Sequence, residues 1–485
     1  MSEDAQLISG LLSDDHEVDL SFSDSQLTYI TDNSGGGGYT QNIIFDTLQC
    51  GSSWNDFKES WLYVPISITC GTTFSSATSP QLAFKQSILS FFRGIQVQIA
   101  GQMVVNEIDN HFINNIRLLL ENSFDWFESN RDHLQMSVDR TSPEVQSTLT
   151  GVSNISPILT SKYTAAVSGT ANSLRQNFNQ GFVDRNIHLL NSFVEAGTAA
   201  SNTTANIQTY IYLPLQYLSQ FFANMDFPIL NTRMTITLLV NTTASGNPYT
   251  PICRATNPAG TAETAIATVN ITTGVGGCRL YYRQVMFSPE QAVRVAAMLQ
   301  KGFSKTISYN ITDVNNQFTN LAAGNVTHSI SSGVINPQRV WVLVLPTGVV
   351  NGQTWPSPCV TGQNGITSAN ILIQGKPYFI NLRTNLYEFW DDLQDIQPPT
   401  AAGMDTSSIL NFSDFINTYR INCFDMTRQK NKLIDPNMSI PLTFQGTLLS
   451  QSGNVDVIYL IEHKVTCRLN FGESDVKVVY GANLQ

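Results

Sequence analysis

The chain has 485 residues and a formal net charge of −11. Only 13% of its residues are charged, about half the usual share of roughly 25%, while 42% are hydrophobic and 10% aromatic, which excludes a disordered chain and argues against coiled coils and helical repeats. Lys and Arg form no run, which speaks against a nucleic-acid binder, and no uninterrupted apolar stretch of about 18 residues reads as a membrane span.

Residues 1–38 read as an acidic arm. Glu3, Asp4, Asp14, Asp15, Glu17, Asp19 and Asp24 crowd its first 24 positions, and no Lys or Arg precedes Lys58. Leu7, Ile8, Leu11 and Leu12 sit at helical spacing between the acids. Gly35 to Gly38 would unhinge this arm from the first roll, because four glycines impose no direction. The basic-then-apolar order of a signal peptide is not seen here.

Beyond the arm, strands dominate, each alternating apolar and polar residues so that one face enters a core. Ile95, Val97 and Ile99 alternate with glutamines; Met234, Ile236, Leu238 and Val240 share a face; so do Ile307, Tyr309 and Ile311. The longest pattern runs over 454–471. There Val455, Val457, Tyr459, Ile461, Val465, Cys467, Leu469 and Phe471 oppose Asp456, Glu462, Lys464, Thr466, Arg468 and Asn470. A strand of that length is expected to bend or bulge. Helices are few: 112–121, 217–225, a capping box with proline at Ser288-Pro289-Glu290-Gln291 that Gly302 should close, and a short turn over 386–393. With 42 Asn and 46 Thr in place of charge, the surface suits turns and strands.

The two halves share landmarks in one order. Trp61-Leu62-Tyr63-Val64-Pro65 echoes Trp341-Val342-Leu343-Val344-Leu345-Pro346, and Ile99-Ala100-Gly101-Gln102 echoes Ile373-Gln374-Gly375-Lys376. Asn42 to Asp46 matches Ser308 to Thr312 as a pattern, and Pro214-Leu215 precedes the Met234 strand as Pro441-Leu442 precedes the Val465 strand. The first half carries extra length, which falls within 130–206, a stretch rich in Ser, Thr, Ala, Asn and Gly that reads as an exposed projection. These landmarks predict an all-β chain of two tandem eight-stranded antiparallel jelly rolls with a few short helices in loops. The first roll is expected over 39–241, a connector over 242–277, the second roll over 278–475 and a tail over 476–485.

Particular blocks resemble a known family. Asn206-Ile-Gln-Thr-Tyr-Ile-Tyr-Leu-Pro-Leu-Gln-Tyr-Leu-Ser-Gln-Phe-Phe222, Phe227-Pro228-Ile229 and Arg233-Met-Thr-Ile-Thr237 form a strand–helix–strand unit similar to one in double jelly-roll major capsid proteins of virophages and polinton-like viruses. Asn179-Gln180-Gly181-Phe182-Val183-Asp184-Arg185 resembles the same family. The resemblance implies a homotrimer, pseudo-hexagonal in outline, that tiles an icosahedral virion shell with neighbouring capsomers, penton proteins and minor capsid proteins. The resemblance further implies that the shell encloses double-stranded DNA without strong direct DNA binding, and it leaves the presence of an internal membrane open.

The search for chemistry is negative, and no catalytic, cofactor-binding or metal residue is assigned. No GxxxxGK[ST], GxGxxG, GxSxG or HExxH occurs. His16, His111, His133, His188, His328 and His463 are not paired at metal-ligand spacing, and His463 falls on the apolar face of its strand. Asp391-Asp392 beside Trp390 is the best acid pair, yet adjacent helical residues point apart. Trp54 and Trp126 could stack sugars or serve subunit contacts. The seven cysteines, Cys50, Cys70, Cys253, Cys278, Cys359, Cys423 and Cys467, form no CxxC and read as buried thiols. An alternative function, a secreted double jelly-roll glycan-binding protein or glycoprotein amidase, calls for disulfides and a convergent acid cluster.

Overall fold

A computed structural model describes residues 22–33, 39, 42–50, 53–70, 82–140, most of 181–189, 205–230, 233–242, 249–254, 269–273, 277–300, 304–347, 357–396 except 363, 409–427, 438–450, 453–470 and 475–480. Eight strands build the first roll: β1 (Phe22–Thr31), β2 (Asn42–Asp46), β3 (Trp54–Cys70), β4 (Phe92–Ile99), β5 (Gln102–Glu107), β6 (Ala205–Pro214), β7 (Met234–Val240) and β8 (Arg279–Phe287). Eight more build the second: β9 (Ser304–Leu321), β10 (Gly324–Ile335), β11 (Pro337–Pro346), β12 (Gly365–Ile373), β13 (Lys376–Pro377), β14 (Asn422–Asp425), β15 (Ser439–Leu449) and β16 (Val455–Asn470). In the first roll β1-β8-β3-β6 form one sheet and β2-β7-β4-β5 the other; in the second, β9-β16-β11-β14 face β10-β15-β12-β13. Every strand n of the first roll therefore occupies the place of strand n + 8 of the second, with all pairings antiparallel.

The repeat is most visible in two turns. Ala100-Gly101 joins β4 to β5 with φ of 50° and 82°, and Gln374-Gly375 joins β12 to β13 with φ of 51° and 80°. Both residues of such a two-residue hairpin must be left-handed, so a glycine at the second position removes one steric penalty. Trp61 and Trp341 likewise fall on equivalent strands, β3 and β11. The other two landmarks shift. Asn42 to Asp46 is β2, whose counterpart is β10, not the Ser308 to Thr312 part of β9. Pro441-Leu442 lies inside β15, the counterpart of the Met234 strand, and the long final strand β16 corresponds to β8.

Four expected boundaries are corrected by the pairing. Phe22–Thr31, placed in the arm, is the outer strand of the first roll, held by Ile30 and Thr28 opposite Leu280 and Tyr282. Arg279–Phe287, placed in the second roll, closes the first by pairing with both β1 and β3. The stretch 242–277 is accordingly a connection inside the first roll, where Ile252–Arg254 pairs with Leu82–Phe84 and Val269–Thr273 with the end of β3. The helix Pro289–Gln300 links the rolls. At the other end, Asp475–Tyr480 is no tail but a strand on β16. Residues 1–21 and Gly35 to Gly38, the rest of the expected arm, lie outside the described residues.

The other helices sit in loops. Among the described residues they include α1 (His111–Leu120), α2 (Phe124–Asn130) and α3 (Gln220–Ala223) in the first roll, and α5 (Leu386–Gln394) and α6 (Phe412–Asn417) in the second, with Pro289–Gln300 as α4. Asn385 and Asn411 cap α5 and α6 in full capping boxes with Glu388 and Asp414. β9 accommodates its length by bulging at Val314/Asn316 and Phe318/Leu321 against β16.

Candidate assembly interface

The two rolls meet along the outer edge and outer face of the β9-β16-β11 sheet. An edge strand exposes unpaired N–H and C=O groups and is a liability unless covered. Here side chains of the first roll cover it: Asn310 N–H donates to Gln220 Oε1 at 3.2 Å, Thr312 N–H to Glu107 Oε1 at 3.2 Å, and Asn224 Nδ2 donates to the Ser308 carbonyl at 2.9 Å. Tyr309 crosses over, its hydroxyl donating to the Val104 carbonyl at 2.6 Å with its ring edge-on to Phe221.

On the face, the α1 helix lays Arg117 over a buried carboxylate. Glu462, fully buried, accepts from Asn310 Nδ2 at 2.7 Å and from Trp341 Nε1 at 3.3 Å, and lies 3.5 Å from Arg117 and 3.8 Å from Arg339. Glu121 sits between the two guanidinium groups, 3.9 Å from Arg117 and 3.7 Å from Arg339. Burial pushes the Glu462 carboxyl up, but Arg117, Arg339 and the two hydrogen bonds outweigh it and hold it below the usual range. The sequence pattern set Glu462 and Thr466 on a polar face of the last strand; the structure buries both.

Glu107 behaves in the opposite way. Burial pushes its carboxyl up to about 7, with Arg117 and the Thr312 N–H pulling back only partly. A carboxyl raised in the folded state favours folding while it is protonated, so its contribution is complete below the unfolded value of 4.5 and is lost as pH rises through about 7. Glu107→Gln is expected to flatten the loss of stability between pH 4.5 and 7 by about 3 kcal/mol, at about 1.4 kcal/mol per unit. Thermal unfolding across that window checks this, and an unchanged pH slope in the variant refutes it.

A second junction lies at the base of the expected projection. Residues 134–139 are buried, Leu134, Met136 and Val138 among them, while Asp132 and His133 stay exposed, and Gly181 and Arg185 pack against the buried stretch. A Cβ on Gly181 would stand 2.4 Å from the Val138 carbonyl oxygen, so only glycine fits that approach. Arg185, fully buried, donates to the Phe84 carbonyl at 3.1 Å, the Ser137 carbonyl at 2.6 Å and Asp139 Oδ1 at 2.8 Å. Asp139 in turn accepts from the Tyr419 hydroxyl at 2.9 Å, and Arg140 forms a two-point pair with Asp414 at 2.8 and 2.5 Å. These contacts tie the first roll to the α6 region of the second. Residues 141–180 and 191–204 of the projection lie outside the described residues.

The residues weighed for chemistry are dispersed. In α5 Asp392 is buried with Arg383 at 3.5 Å while Asp391 is exposed, so the pair does not converge. His111 is buried against Phe112 and Tyr249, His133 packs on Trp61, His328 stacks on Phe318, His188 lies 3.3 Å from Asp132, and His463 lies 3.5 Å from Asp313; His16 is outside the described residues. Trp54 meets Phe287 edge-on and Trp126 meets Tyr217, both partly buried. Six cysteines are free and buried, and burial pushes Cys253 up to about 11 and Cys278 and Cys467 to about 12. Among the described residues, no group of three His, Cys, Asp or Glu could hold a metal ion, and no helix is long and apolar enough to cross a membrane.

No family model matches the chain, and no curated protein sequence matches it. Solved structures do match. A chain in the cryo-EM structure of the Sputnik virophage aligns with a TM-score of 0.55 at 14% identity, over 95% of this chain and 89% of that one. The mavirus major capsid protein aligns with a TM-score of 0.56 at 12% identity, over 96% and 92%. At such identities the likeness is one of fold: the chain is a double jelly roll similar, along almost its whole length, to the major capsid protein of mavirus.

Proposed function

We propose that this chain is a non-enzymatic major capsid protein that associates as homotrimers, each a pseudo-hexagonal capsomer in the icosahedral virion shell of a double-stranded DNA virus. The observation that carries the reading is the internal duplication. Two rolls with one strand order, fixed side by side in each chain, give a threefold assembly six nearly equivalent blocks, which is the shape a sixfold lattice position needs. The fold likeness to a virophage capsid protein supports it. Neighbouring capsomers, penton proteins and minor capsid proteins are then its partners. A net charge of −11 suits enclosing the genome without binding it strongly. The secreted glycan-binding or amidase reading calls for disulfides, whereas the six described thiols are free.

Light scattering on purified protein tests the reading. The expected mass is three times 53.5 kDa, with closed particles of even diameter in micrographs at high concentration. A protein that stays monomeric at every salt concentration and forms no larger assembly would refute it.

A further inference from the structure

The contact between the rolls inside one chain points to a surface that lacks its counterpart. In the second roll, the outer face of β9-β16-β11 is covered by the helix that follows β5: Trp341 is 1% exposed and Glu462 0%, beneath α1, all ten of whose residues are buried. By the strand equivalence, the matching face in the first roll is the outer face of β1-β8-β3, and the matching helix in the second roll is α5, which follows β13.

Both of these counterparts leave apolar side chains exposed, although α5 buries Phe389, Trp390 and Leu393 in its own roll and His133 packs on Trp61. The β1-β8-β3 face carries Leu27 at 62% exposure and a run of rings: Tyr29 against Tyr281 at 5.4 Å, Tyr281 against Tyr212 at 6.1 Å and Tyr212 stacked on Trp61 at 4.9 Å. Trp61 pairs across to Tyr281 as Trp341 pairs to Leu460, yet Trp61 is only partly buried. On the other side, the segment entering α5 exposes Ile380 at 97%, Leu382 at 47% and Tyr387 at 64%. Apolar side chains so displayed mark a contact surface.

The charges complement each other with reversed sign. Two residues beyond the paired Tyr281 and Leu460 stand Arg283 and Glu462, and two before the tryptophans stand Glu59 and Arg339. In the second roll the acidic Glu462 receives the basic Arg117 of α1. In the first, Arg283 pairs with Glu59 at 2.7 Å and Arg279 lies over the Tyr29 ring at 4.9 Å, while α5 exposes Asp391 and keeps Asp392 buried beside Arg383 at 3.5 Å. The face thus offers the base Arg279, and the helix offers the exposed acid Asp391.

We infer that the outer face of β1-β8-β3, centred on Tyr29, Trp61 and Tyr281, receives the Ile380–Tyr387 segment and α5 of a second copy of this chain. The junction repeats, between copies, the one that α1 makes within the chain. It is heterologous, so each copy offers one face and one helix, and a closed ring satisfies both. The inference rests on the trimer reading and specifies which surfaces build it.

Two charge insertions test it at a concentration where the wild type runs as three chains: Tyr281→Asp on the face and Tyr387→Asp ahead of the helix. Each variant alone is expected to fall to one chain by light scattering. Mixed in equal amounts they should recover a two-chain species, because the face of one and the helix of the other remain intact; that rescue also shows that both fold. Variants that remain trimeric, or a mixture that remains monomeric, overturn the surface assignment while the trimer stands. A wild type that is never trimeric overturns both.

Discussion

Glu462→Ala is expected to cost about 3–5 kcal/mol. Removing one partner of a buried ion pair leaves the other charge dehydrated without compensation. Here the loss is felt by several groups, since Arg117, Arg339, Asn310 and Trp341 all direct donors at that carboxylate. Arg117 belongs to the first roll and Arg339 to the second, so the variant should also uncouple the two halves. Denaturant unfolding is expected to show one steep transition for the wild type and a lower, broader one for the variant. A shift below about 1 kcal/mol would mean that the cluster is hydrated or otherwise compensated. Because a buried pair exchanged for apolar groups is often neutral, replacing Glu462, Arg117 and Arg339 together should cost less than Glu462→Ala alone.

Arg185→Met is expected to cost a similar amount, about 3–5 kcal/mol. The side chain is fully buried, and its guanidinium serves two main-chain carbonyls and the buried Asp139. Methionine conserves volume but donates nothing, so those acceptors lose their donors in a place water does not reach. The effect should be local as well as global. Amide exchange in 131–140 is expected to speed up more than in β4, which accepts none of these Arg185 hydrogen bonds. Equal protection of 131–140 in both proteins would count against Arg185 as its anchor.

How far the sequence discloses all this depends on which force shapes each part. Alternation over 454–471 marks β16 correctly because one face must enter a core, and the glycine turns at Gly101 and Gly375 are legible because a left-handed residue pair has few solutions. Phe22–Thr31 is not legible in that way. Its outward positions, Leu27 and Tyr29, are apolar and its inward Thr28 is polar, so the period that marks a half-buried strand is blurred. The swap of Arg279–Phe287 into the first roll is set by pairing with β1 and β3, a non-local fact. The inter-roll cluster is hidden for the same reason. Glu462 sits among Lys464 and Thr466 on what reads as a solvent face, and only the arrival of α1 from far away in the sequence converts that face into an interior. Arg185, in contrast, stands inside a block marked by its family resemblance, but the composition around it points to an exposed loop.

The pairing of β1 with β8 also dictates the order of events during synthesis. Tyr29 leaves the ribosome early and finds Tyr281 only after β2 through β7 have emerged. Until then the first roll has no lid on β3, and its sheet cannot close. Pairings of such long sequence separation form slowly, because the chain between them must be confined before any contact rewards it. The first roll therefore spends its nascent life with an open hydrophobic trough, and folding should be slow and dependent on chaperones. β9 and β16 face a similar delay, but they arrive when the first roll can already present Glu107, Gln220 and Asn224 to the β9 edge, so the earlier half serves as a template for the later one.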